Sequence, residues 1–328
     1  MEFTGHSRGR LYRSGLSASA PGAVSSAALV PTDAVPPPAA SLPCWCGSGE
    51  WQVCFRTRRF GLLRCSACGS FETDPPPLRG DDESARFYTD YYSRTATGSQ
   101  PVRPSEAKPA RSAWFWKVAE HVPELARVRS SAIDIGSGDG HFCAELRTAG
   151  WPHVTGIEIS RTRVIRARQF YPEIPFYSCS IGQTEIPQGA LDLIVMDSVI
   201  EHLPNPLEMV RELCGYLAPG GTLVVLTPNM ESGHFRFLGR RWTGMLAPHA
   251  HIFLFNSAGL SRLLARCGLK ISKCGSLHMS VYKPGEYIRR LISGDVKGTL
   301  WRAHQEIGGL YGRLIGAGPM LYAVATKE

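Results

Sequence analysis

From residue 131 onward, short apolar runs alternate with segments whose apolar residues recur at helical spacing. Each apolar run has the length of a buried strand, and each intervening segment is long enough for a helix. The pattern predicts strands near residues 131–135, 153–159, 175–181, 191–197 and 221–227, and helices near 141–149, 160–170, 205–217 and 256–267. Apolar strands that alternate with helices form a parallel sheet covered on both faces. We therefore expect an α/β, doubly wound, mostly parallel fold.

The chain before this region has a different pattern. Residues 1–41 are rich in Ala, Ser and Pro and hold few large apolar side chains, so we expect a disordered tail. Residues 42–77 form a small cysteine-containing module, and residues 78–111 form a charged, Pro-containing linker. We expect one large domain over residues 112–328, which begins with a helix at Ser112–Arg129 and carries an insertion at about 283–317.

A glycine-rich turn follows the first predicted strand of this domain. Asp134 lies near the end of that strand, and Gly136, Gly138 and Gly140 then alternate with other residues before a predicted helix. Glycine lets the backbone turn sharply and lets a ligand approach the main chain. The start of the following helix offers unpaired N–H groups. These residues predict a nucleotide-type binding turn, although their G-x-G-x-G spacing differs from the G-x-G-x-x-G of dinucleotide sites.

Acidic residues stand at the ends of the following predicted strands. Glu158 ends the second strand, about 20 residues beyond the glycine turn, where an acid can accept both hydroxyls of a ribose. Asp197 ends the strand at 191–197, and Glu201 and His202 follow it closely. Ligands bind outside the carboxyl ends of parallel strands. We therefore expect these side chains to line one site.

In order and spacing, these stretches resemble the class I S-adenosylmethionine (SAM) dependent methyltransferases. The resemblance includes the D-x-G-x-G-x-G loop at Asp134–Gly140, the acid Glu158, the E-H-x-x-x-P run at Glu201–Pro206 and the L-x-P-G-G run at Leu217–Gly221. It implies a seven-stranded Rossmann-like sheet, in which the last two strands, Leu269–Met279 and Pro319–Lys327, pair antiparallel. It also implies that SAM binds to Asp134, Gly136, Ser137, Gly138, Gly140, Glu158, Ile159, Ser180 and Asp197.

The resemblance also indicates where the methyl acceptor would lie. Methyl transfer to a hydroxyl is assisted by removal of a proton, and an imidazole is suited to that task. His202 is the candidate base, and Glu201 and His251 are the other candidate catalytic residues. The alternative that His202 only packs at a helix start and shapes the pocket stays open. Apolar side chains near His251, among them Trp242 and Phe253, favour an apolar or ring-bearing acceptor.

The N-terminal module holds two close cysteine pairs. Cys44 and Cys46 form the first pair, Cys65 and Cys68 form the second, and a glycine follows each pair. Pairs about 20 residues apart are typical of a tetrahedral zinc site, and a subset of the same family begins with such a ribbon. The one-residue spacer between Cys44 and Cys46 is awkward for a zinc knuckle, so Cys54 is an alternative ligand. Reduced cysteines that pack a hairpin are the alternative to a structural Zn2+.

Composition adds limits to this interpretation. The 328 residues are 43% hydrophobic and carry a formal net charge of +8, spread along the chain. The sequence contains no run that approaches the roughly 20 apolar residues of a membrane-spanning helix. Ten scattered cysteines do not indicate a disulfide scaffold, so we expect a cytoplasmic protein. The charge permits an acidic partner or an anionic membrane face, and a solvated basic surface is the alternative.

The sequence therefore predicts a SAM-dependent methyltransferase that acts on a hydroxyl of a small molecule, a sugar, or a glycan or lipid precursor. No nucleic-acid partner is expected, because Asp197–Ile200 departs from the D/N-P-P-Y run of amino-methylating nucleic-acid enzymes. A nucleic-acid methyltransferase and a non-catalytic, partner-binding protein of the same fold remain alternatives. Amphipathic, basic stretches at Tyr287–Ile292 and Leu310–Ile315 predict either a cap over the pocket or peripheral membrane contact.

Overall fold

A computed structural model of the chain describes residues 43–58, 60–77, 83, 86–87, 90, 113–242, 246–278, 292 and 296–328, without the side chains of residues 297, 298, 301 and 302. The expected tail at 1–41, most of the expected linker at 78–111 and nearly all of the stretch at 287–292 lie outside the described residues.

The strands are β1 (Trp51–Arg56), β2 (Gly61–Cys65), β3 (Phe71–Asp74), β4 (Ser131–Ile135), β5 (His153–Ile157), β6 (Phe176–Tyr177), β7 (Leu191–Asp197), β8 (Leu217–Pro228), β9 (Phe253–Leu254), β10 (Leu269–Leu277) and β11 (Met320–Lys327). The α-helices are α1 (residues 113–119), α2 (His141–Thr148), α3 (Arg161–Phe170), α4 (Pro206–Tyr216), α5 (Gly233–Leu238), α6 (Ser257–Arg266) and α7 (Val296–Leu314).

A seven-stranded sheet forms the centre of the molecule, in the order β10-β11-β8-β7-β4-β5-β6. The strands from β8 to β6 are parallel to one another, whereas β11 runs antiparallel to both β8 and β10. In the central strand β7, the residues Leu193–Met196 are all buried. A continuous apolar run is what a strand covered on both faces requires. The expected Rossmann-like, mostly parallel sheet is thus confirmed.

Helices cover both faces of this sheet. Side chains of α4 and α6, such as Val210 and Leu263, pack in one core cluster with Ile133. Side chains of α1 and α2, such as Val118 and Leu146, pack in a second cluster with Leu193. The alternation of side chains along the strands separates these two cores, because successive residues of a strand point to opposite faces.

One predicted strand is much shorter than expected. The sequence predicts a strand over 175–181, but β6 ends at Tyr177. Ser180 instead caps a short 3-10 helix, Ile181–Gln183, and its N–H donates to the side chain of Gln183 at 3.1 Å. Local hydrogen bonds of this kind compete with pairing in a sheet, so the edge strand ends early.

The cysteine module, which we call the ribbon (residues 43–77), extends into the main domain as a second sheet. Its strands have the order β1-β2-β3-β9, and β9 belongs to the loop that precedes α6. Phe71 and Glu72 of β3 pair antiparallel with Leu254 and Phe253 of β9. The sequence did not indicate this pairing, because β9 has only two residues and lies far from β3 along the chain.

The ribbon also rests on α6 through two arginines. Arg262 donates to the carbonyl oxygen of Ala67 at 2.5 Å, and Arg266 donates to that of Cys46 at 2.7 Å. Hydrogen bonds from a charged donor are stronger than neutral ones. The two cysteine loops are therefore held directly against the main domain.

The last helix, α7, packs against α5 through glycine. A Cβ on Gly233 would lie 2.2 Å from the backbone nitrogen of Gly312, so the two helices are in backbone contact. The other side of α7 is exposed, with Leu310 at 57% and Leu314 at 85% exposure. Both interpretations of this region, a cap and a membrane contact, stay predictions. No helix in the described part of the chain is long and apolar enough to cross a membrane.

Candidate functional site

The glycine turn between β4 and α2 has a backbone that only glycine adopts easily. Gly136, Gly138 and Gly140 have φ angles of +77°, +55° and +81°. A Cβ on Gly136 would lie 2.3 Å from the Val199 side chain, and one on Gly140 would lie 2.5 Å from Phe176. Side chains here would be strained and would clash. The turn is therefore fixed as a bare main-chain surface at the carboxyl end of β4.

Glu158, at the end of β5, is bonded to this turn. Its two carboxylate oxygens accept hydrogen bonds from the backbone N–H groups of Gly138, at 2.9 Å, and Ser160, at 2.8 Å. The residue is buried. One acid thus joins the glycine turn to the neighbouring strand end, which places it where the sequence predicted a ribose-binding carboxylate.

A cavity opens beside the turn, at the carboxyl ends of β4, β5 and β7. Of the residues expected at the cofactor site, Gly136, Glu158, Ile159 and Ser180 line it, as does His202. The other lining residues are Ile135, Ile157, Arg163, Cys179, Ile181, Ser198, Val199, Leu203, Pro204 and Met209. The other expected residues do not line the cavity itself. Ser137, Gly138 and Gly140 belong to the turn, and Asp134 and Asp197 belong to the adjacent strands β4 and β7.

A buried acid, Asp134, and a half-buried acid, Asp197, lie behind the turn. Asp134 is only 2% exposed and accepts a weak hydrogen bond from the Cys143 thiol at 3.7 Å. Burial and the nearby charge of Asp197 raise the pKa of Asp134 well above its usual value. A carboxyl in this position gains from a cation nearby, because a positive charge offsets both effects.

The aromatic residue Trp114 reaches this site from α1. Its indole N–H donates to Asp197 at 2.8 Å, and the hydroxyl of Ser198 donates to the other carboxylate oxygen at 3.1 Å. No local sequence pattern indicates this bond, because the two residues lie 83 positions apart.

Ser198 is itself unusual. It has a φ of +58°, which is uncommon for a residue other than glycine, and it lines the cavity directly after β7. Left-handed backbone at such a residue costs energy and often marks a functional site. The sequence motif did not reveal this residue.

The three candidate catalytic residues come together beside the cavity. Glu201 is 1% exposed and accepts a hydrogen bond from the Thr227 hydroxyl at 2.9 Å. Nδ1 of His202 lies 3.1 Å from the carbonyl oxygen of Ala250, and the rings of His202 and His251 have centroids 4.7 Å apart. One ligand atom from each of the three residues lies within 4.8 Å of the others, so the group also has the spacing of metal ligands.

Burial sets the charge of this group. Loss of hydration raises the pKa of Glu201 to about 8 and lowers the pKa of His202 to about 4. At neutral pH both side chains are therefore mainly uncharged. A hydrogen bond to a carbonyl requires that Nδ1 of His202 carry the proton, which leaves the lone pair on Nε2.

The four cysteines of the ribbon form a second group of possible ligands. Sγ atoms of Cys44 and Cys68 lie 3.5 Å apart, those of Cys46 and Cys65 lie 3.6 Å apart, and all four lie within 4.8 Å of one another. The one-residue spacer therefore does not prevent the first pair from joining the second. Cys54 is exposed on β1 and lies outside this group.

The backbone forms a turn at each of the two cysteine pairs. N–H groups of Gly47 and Gly69 donate to the carbonyl oxygens of Cys44, at 2.7 Å, and Cys65, at 3.0 Å. The N–H of Ser70 points at the sulfur of Cys68, at 3.5 Å. Both glycines have positive φ angles, which explains why glycine follows each pair.

Comparison with known proteins adds to this geometry. Residues 110–273 match a family model that describes a methyltransferase domain. The chain is 31% identical over 170 residues to a tRNA U34 carboxymethyltransferase of Alcanivorax borkumensis, which covers 50% of this chain and 52% of that enzyme. The chain thus spans about half the length of that relative. It is also 26% identical over 237 residues to a probable SAM-dependent methyltransferase of Mycobacterium tuberculosis, over 69% of this chain and 82% of that one.

Solved structures share the fold. A chain from the complex between the Haloferax volcanii Trm112 methyltransferase activator and a putative methyltransferase is similar, with a TM-score of 0.52 and 17% identity. The match covers 74% of this chain and 96% of that one. At this identity the likeness concerns the arrangement of strands and helices alone.

The raised pKa of Glu201 predicts a pH dependence of stability. The folded protein holds a proton on this carboxyl that the unfolded chain releases, so the free energy of unfolding should fall as pH rises from about 4.5 to about 8. Glu201→Gln removes this contribution. Its stability relative to the wild type should increase with pH in that window, by at most about 1.4 kcal/mol for each pH unit.

Urea unfolding at pH 5, 6.5 and 8 measures this difference. Glu173→Gln is the matched control, since Glu173 is exposed, and its curve should run parallel to that of the wild type. Parallel curves for Glu201→Gln would show that the buried carboxyl does not titrate in this way.

Proposed function

Since the chain belongs to the class I SAM-dependent methyltransferases, we propose that it transfers the methyl group of SAM to a hydroxyl of a small molecule, a sugar, or a glycan or lipid precursor. The observation that carries this proposal is the position of His202. Its ring is neutral, its Nδ1 is bonded to Ala250, and it lines the same cavity as Glu158 and the glycine turn.

The residues around the turn fit SAM. The turn offers main-chain atoms that a Cβ would cover, and Glu158 presents two carboxylate oxygens for the ribose hydroxyls. The hydroxyls of Ser137 and Ser160 are buried and have no hydrogen-bond partner among the described residues. Buried polar atoms normally make hydrogen bonds, so a polar ligand would supply the missing bonds of these two hydroxyls. When bound, SAM supplies an electrophilic methyl group on a sulfonium.

The acids around the turn favour the positive charge of this cofactor. SAM carries an ammonium and a sulfonium, and Asp134, Glu158 and Asp197 surround the turn. Asp197 is already oriented by Trp114 and Ser198. Fixed charges aimed at a ligand need little reorganisation when it binds. The chain therefore holds the donor by its nucleoside and by its charged end.

His202 then acts on the acceptor. In this proposal Nε2 accepts the proton of the acceptor hydroxyl as the oxygen attacks the methyl carbon. The bond from Nδ1 to Ala250 fixes the ring, and Glu201 and His251 pack beside it. The lowered pKa of about 4 keeps the ring unprotonated at neutral pH, and it also makes His202 a weaker base than an ordinary imidazole.

Nucleic acid is a second candidate acceptor, and the relatives support it at least as well. Two tRNA U34 carboxymethyltransferases are 31% and 29% identical to this chain over 170 and 176 residues. The net charge of +8 agrees with a polyanionic substrate. Transfer of labelled methyl from SAM, measured in parallel on tRNA transcripts and on hydroxylated metabolites, distinguishes the two acceptor classes. Methylation of tRNA alone would overturn the small-molecule proposal.

The ribbon is proposed to hold one structural Zn2+ on Cys44, Cys46, Cys65 and Cys68. Sulfur atoms 3.5 to 3.6 Å apart agree with four thiolates around one ion whose Zn–S distance is about 2.3 Å. Four protein ligands leave no open position for catalysis, so the ion would serve the fold of the ribbon.

Loss of the Glu158 carboxylate should weaken SAM binding. In Glu158→Ala the ribose loses two charged hydrogen bonds, each worth about 1.5 kcal/mol, so the dissociation constant should rise about 100-fold. Calorimetric titration with SAM and S-adenosylhomocysteine measures this, with Glu173→Ala as control and Gly138→Arg as a blocked turn. A folded wild-type protein that binds neither compound would refute the cofactor assignment.

Replacement of the proposed base should lower kcat without a change in SAM affinity. His202→Gln is expected to reduce kcat by about 10²- to 10⁴-fold, the usual contribution of a general base. Because the pKa of His202 is lowered to about 4, wild-type kcat should fall only as pH approaches 4. The exposed His153, replaced by Gln, is the control. Unchanged kcat in His202→Gln would favour the packing role.

The zinc proposal is tested by metal analysis of the purified chain. One zinc per chain is expected by mass spectrometry, and Cys65→Ser should lose it and unfold the ribbon at lower temperature. Cys54→Ser is the matched control and should keep its zinc, because Cys54 lies outside the group. If the protein purified from zinc-supplemented medium contains no metal, the zinc site is refuted and the four thiols only pack the hairpin.

A further inference from the structure

A groove separates the ribbon from the start of α4. Its lining residues are Pro43, Cys44, Trp45, Gly47, Glu72, Pro76, Pro204, Asn205, Leu207, Glu208, Arg211, Ile252 and Phe253. The volume of about 350 Å3 is within the range of small-molecule sites, roughly 300–1,000 Å3. Pro204 lines both this groove and the cavity beside the glycine turn. The groove therefore adjoins the proposed cofactor site.

One buried polar atom of a lining residue has no hydrogen-bond partner among the residues that the structure describes. Glu72 of β3 is only 3% exposed, and its Oε2 atom makes no hydrogen bond within the described part of the chain. Leaving a buried acceptor unbonded costs about 1–3 kcal/mol, so an atom of this kind requires an explanation. Its place in the lining of a groove points to a ligand that completes it.

The groove is fixed relative to the candidate base. The N–H of Thr73, next to Glu72, donates to the carbonyl oxygen of Ile252 at 3.0 Å, and the N–H of Ile252 donates to the carbonyl oxygen of Glu201 at 2.8 Å. Two consecutive backbone bonds thus connect the strand of Glu72 to the residue before His202. A molecule held at Glu72 would be positioned by the same main chain that positions His202.

The chemistry of the lining suits a neutral, hydroxylated ring. Trp45 and three prolines supply apolar surface, and the Trp45 indole N–H is bonded to Ser70 at 3.1 Å, which orients its ring. Burial and the charge of Asp74 raise the pKa of Glu72 to about 8, so its carboxyl both donates and accepts at neutral pH. Since Glu72 is mainly protonated, Glu208 balances the one arginine of the lining, Arg211, so the groove offers no net positive charge to a phosphate.

We propose that this groove is the acceptor subsite, and that Glu72 exchanges hydrogen bonds with the hydroxyls of a neutral sugar ring packed on Trp45. The inference rests on the proposed methyltransferase function and gives it a substrate class, a neutral glycoside. It also gives the ribbon a second role, since β3 provides a specificity-determining residue for the reaction.

The test uses the full chain, labelled SAM and a panel of p-nitrophenyl glycosides of neutral hexoses and 6-deoxyhexoses, with tRNA transcripts beside them. The wild type should methylate at least one glycoside. Glu72→Leu should raise the KM for that glycoside at least tenfold, and Glu72→Gln should raise it less, because an amide keeps part of the hydrogen bonding. The exposed Glu50 of the ribbon, replaced by Gln, is the matched control.

Thermal unfolding and SAM titration of the same variants separate function from structure. Because Oε2 of Glu72 has no hydrogen-bond partner among the described residues, Glu72→Leu should keep or raise the Tm, and its SAM affinity should equal that of the wild type. A marked fall of Tm in both Glu72 variants would overturn the inference in favour of a structural role.

The remaining outcomes differ in what they refute. Wild-type protein that binds SAM and methylates tRNA but none of the glycosides would overturn the groove as a sugar site and leave the methyltransferase intact. Folded wild-type protein that does not bind SAM would refute the proposed function itself, and this inference with it.

Discussion

The backbone hydrogen bonds of Ile252 connect the parts of this protein that matter for its chemistry. One bond goes to the ribbon through Thr73, and the other goes to the motif that follows β7 through Glu201. The side chains on either side of Ile252 are His251, beside His202, and Phe253, opposite Glu72 in the small sheet. The ribbon, the candidate base and the groove are therefore connected through one stretch of main chain, and displacement of this stretch would disturb all three.

Neutral side chains are the common electrostatic feature of the proposed acceptor side. Glu72 and Glu201 are buried far enough that neutral pH leaves them mainly protonated, and His202 is uncharged for the same reason. The proposed cofactor side is different, because it gathers the three carboxyls of Asp134, Glu158 and Asp197 at the glycine turn, where the charge of Asp197 adds to burial in raising the pKa of Asp134. A donor with two positive charges is thus favoured on one side of the cavity, and a neutral nucleophile is favoured on the other. This division agrees with the proposed transfer of a methyl group to an oxygen.

The sequence was sufficient where a feature depends on neighbouring residues. The glycine turn, the acid at Glu158 and the parallel strands follow from local pattern, and the structure has them at the expected places. The bond from Trp114 to Asp197, the pairing of β3 with β9 and the backbone of Ser198 depend on segments far apart in the chain. The residue pattern of a single sequence does not indicate such contacts. The strand predicted over residues 175–181 is too long for a local reason, because the capping hydrogen bonds of Ser180 compete with pairing in the sheet.

The antiparallel strand β11 has a consequence for how the molecule is made. It lies between β8 and β10, although both precede it in the chain. During synthesis on the ribosome the five strands from β4 to β8 emerge first and are able to pair, whereas β10 has no neighbour until residues 320–327 follow. A nascent chain that stalls before this point would present the apolar edge of β8 to other molecules, and unpaired edges of this kind promote aggregation. Completion of the sheet therefore depends on a segment that leaves the ribosome after both of its neighbours in the sheet.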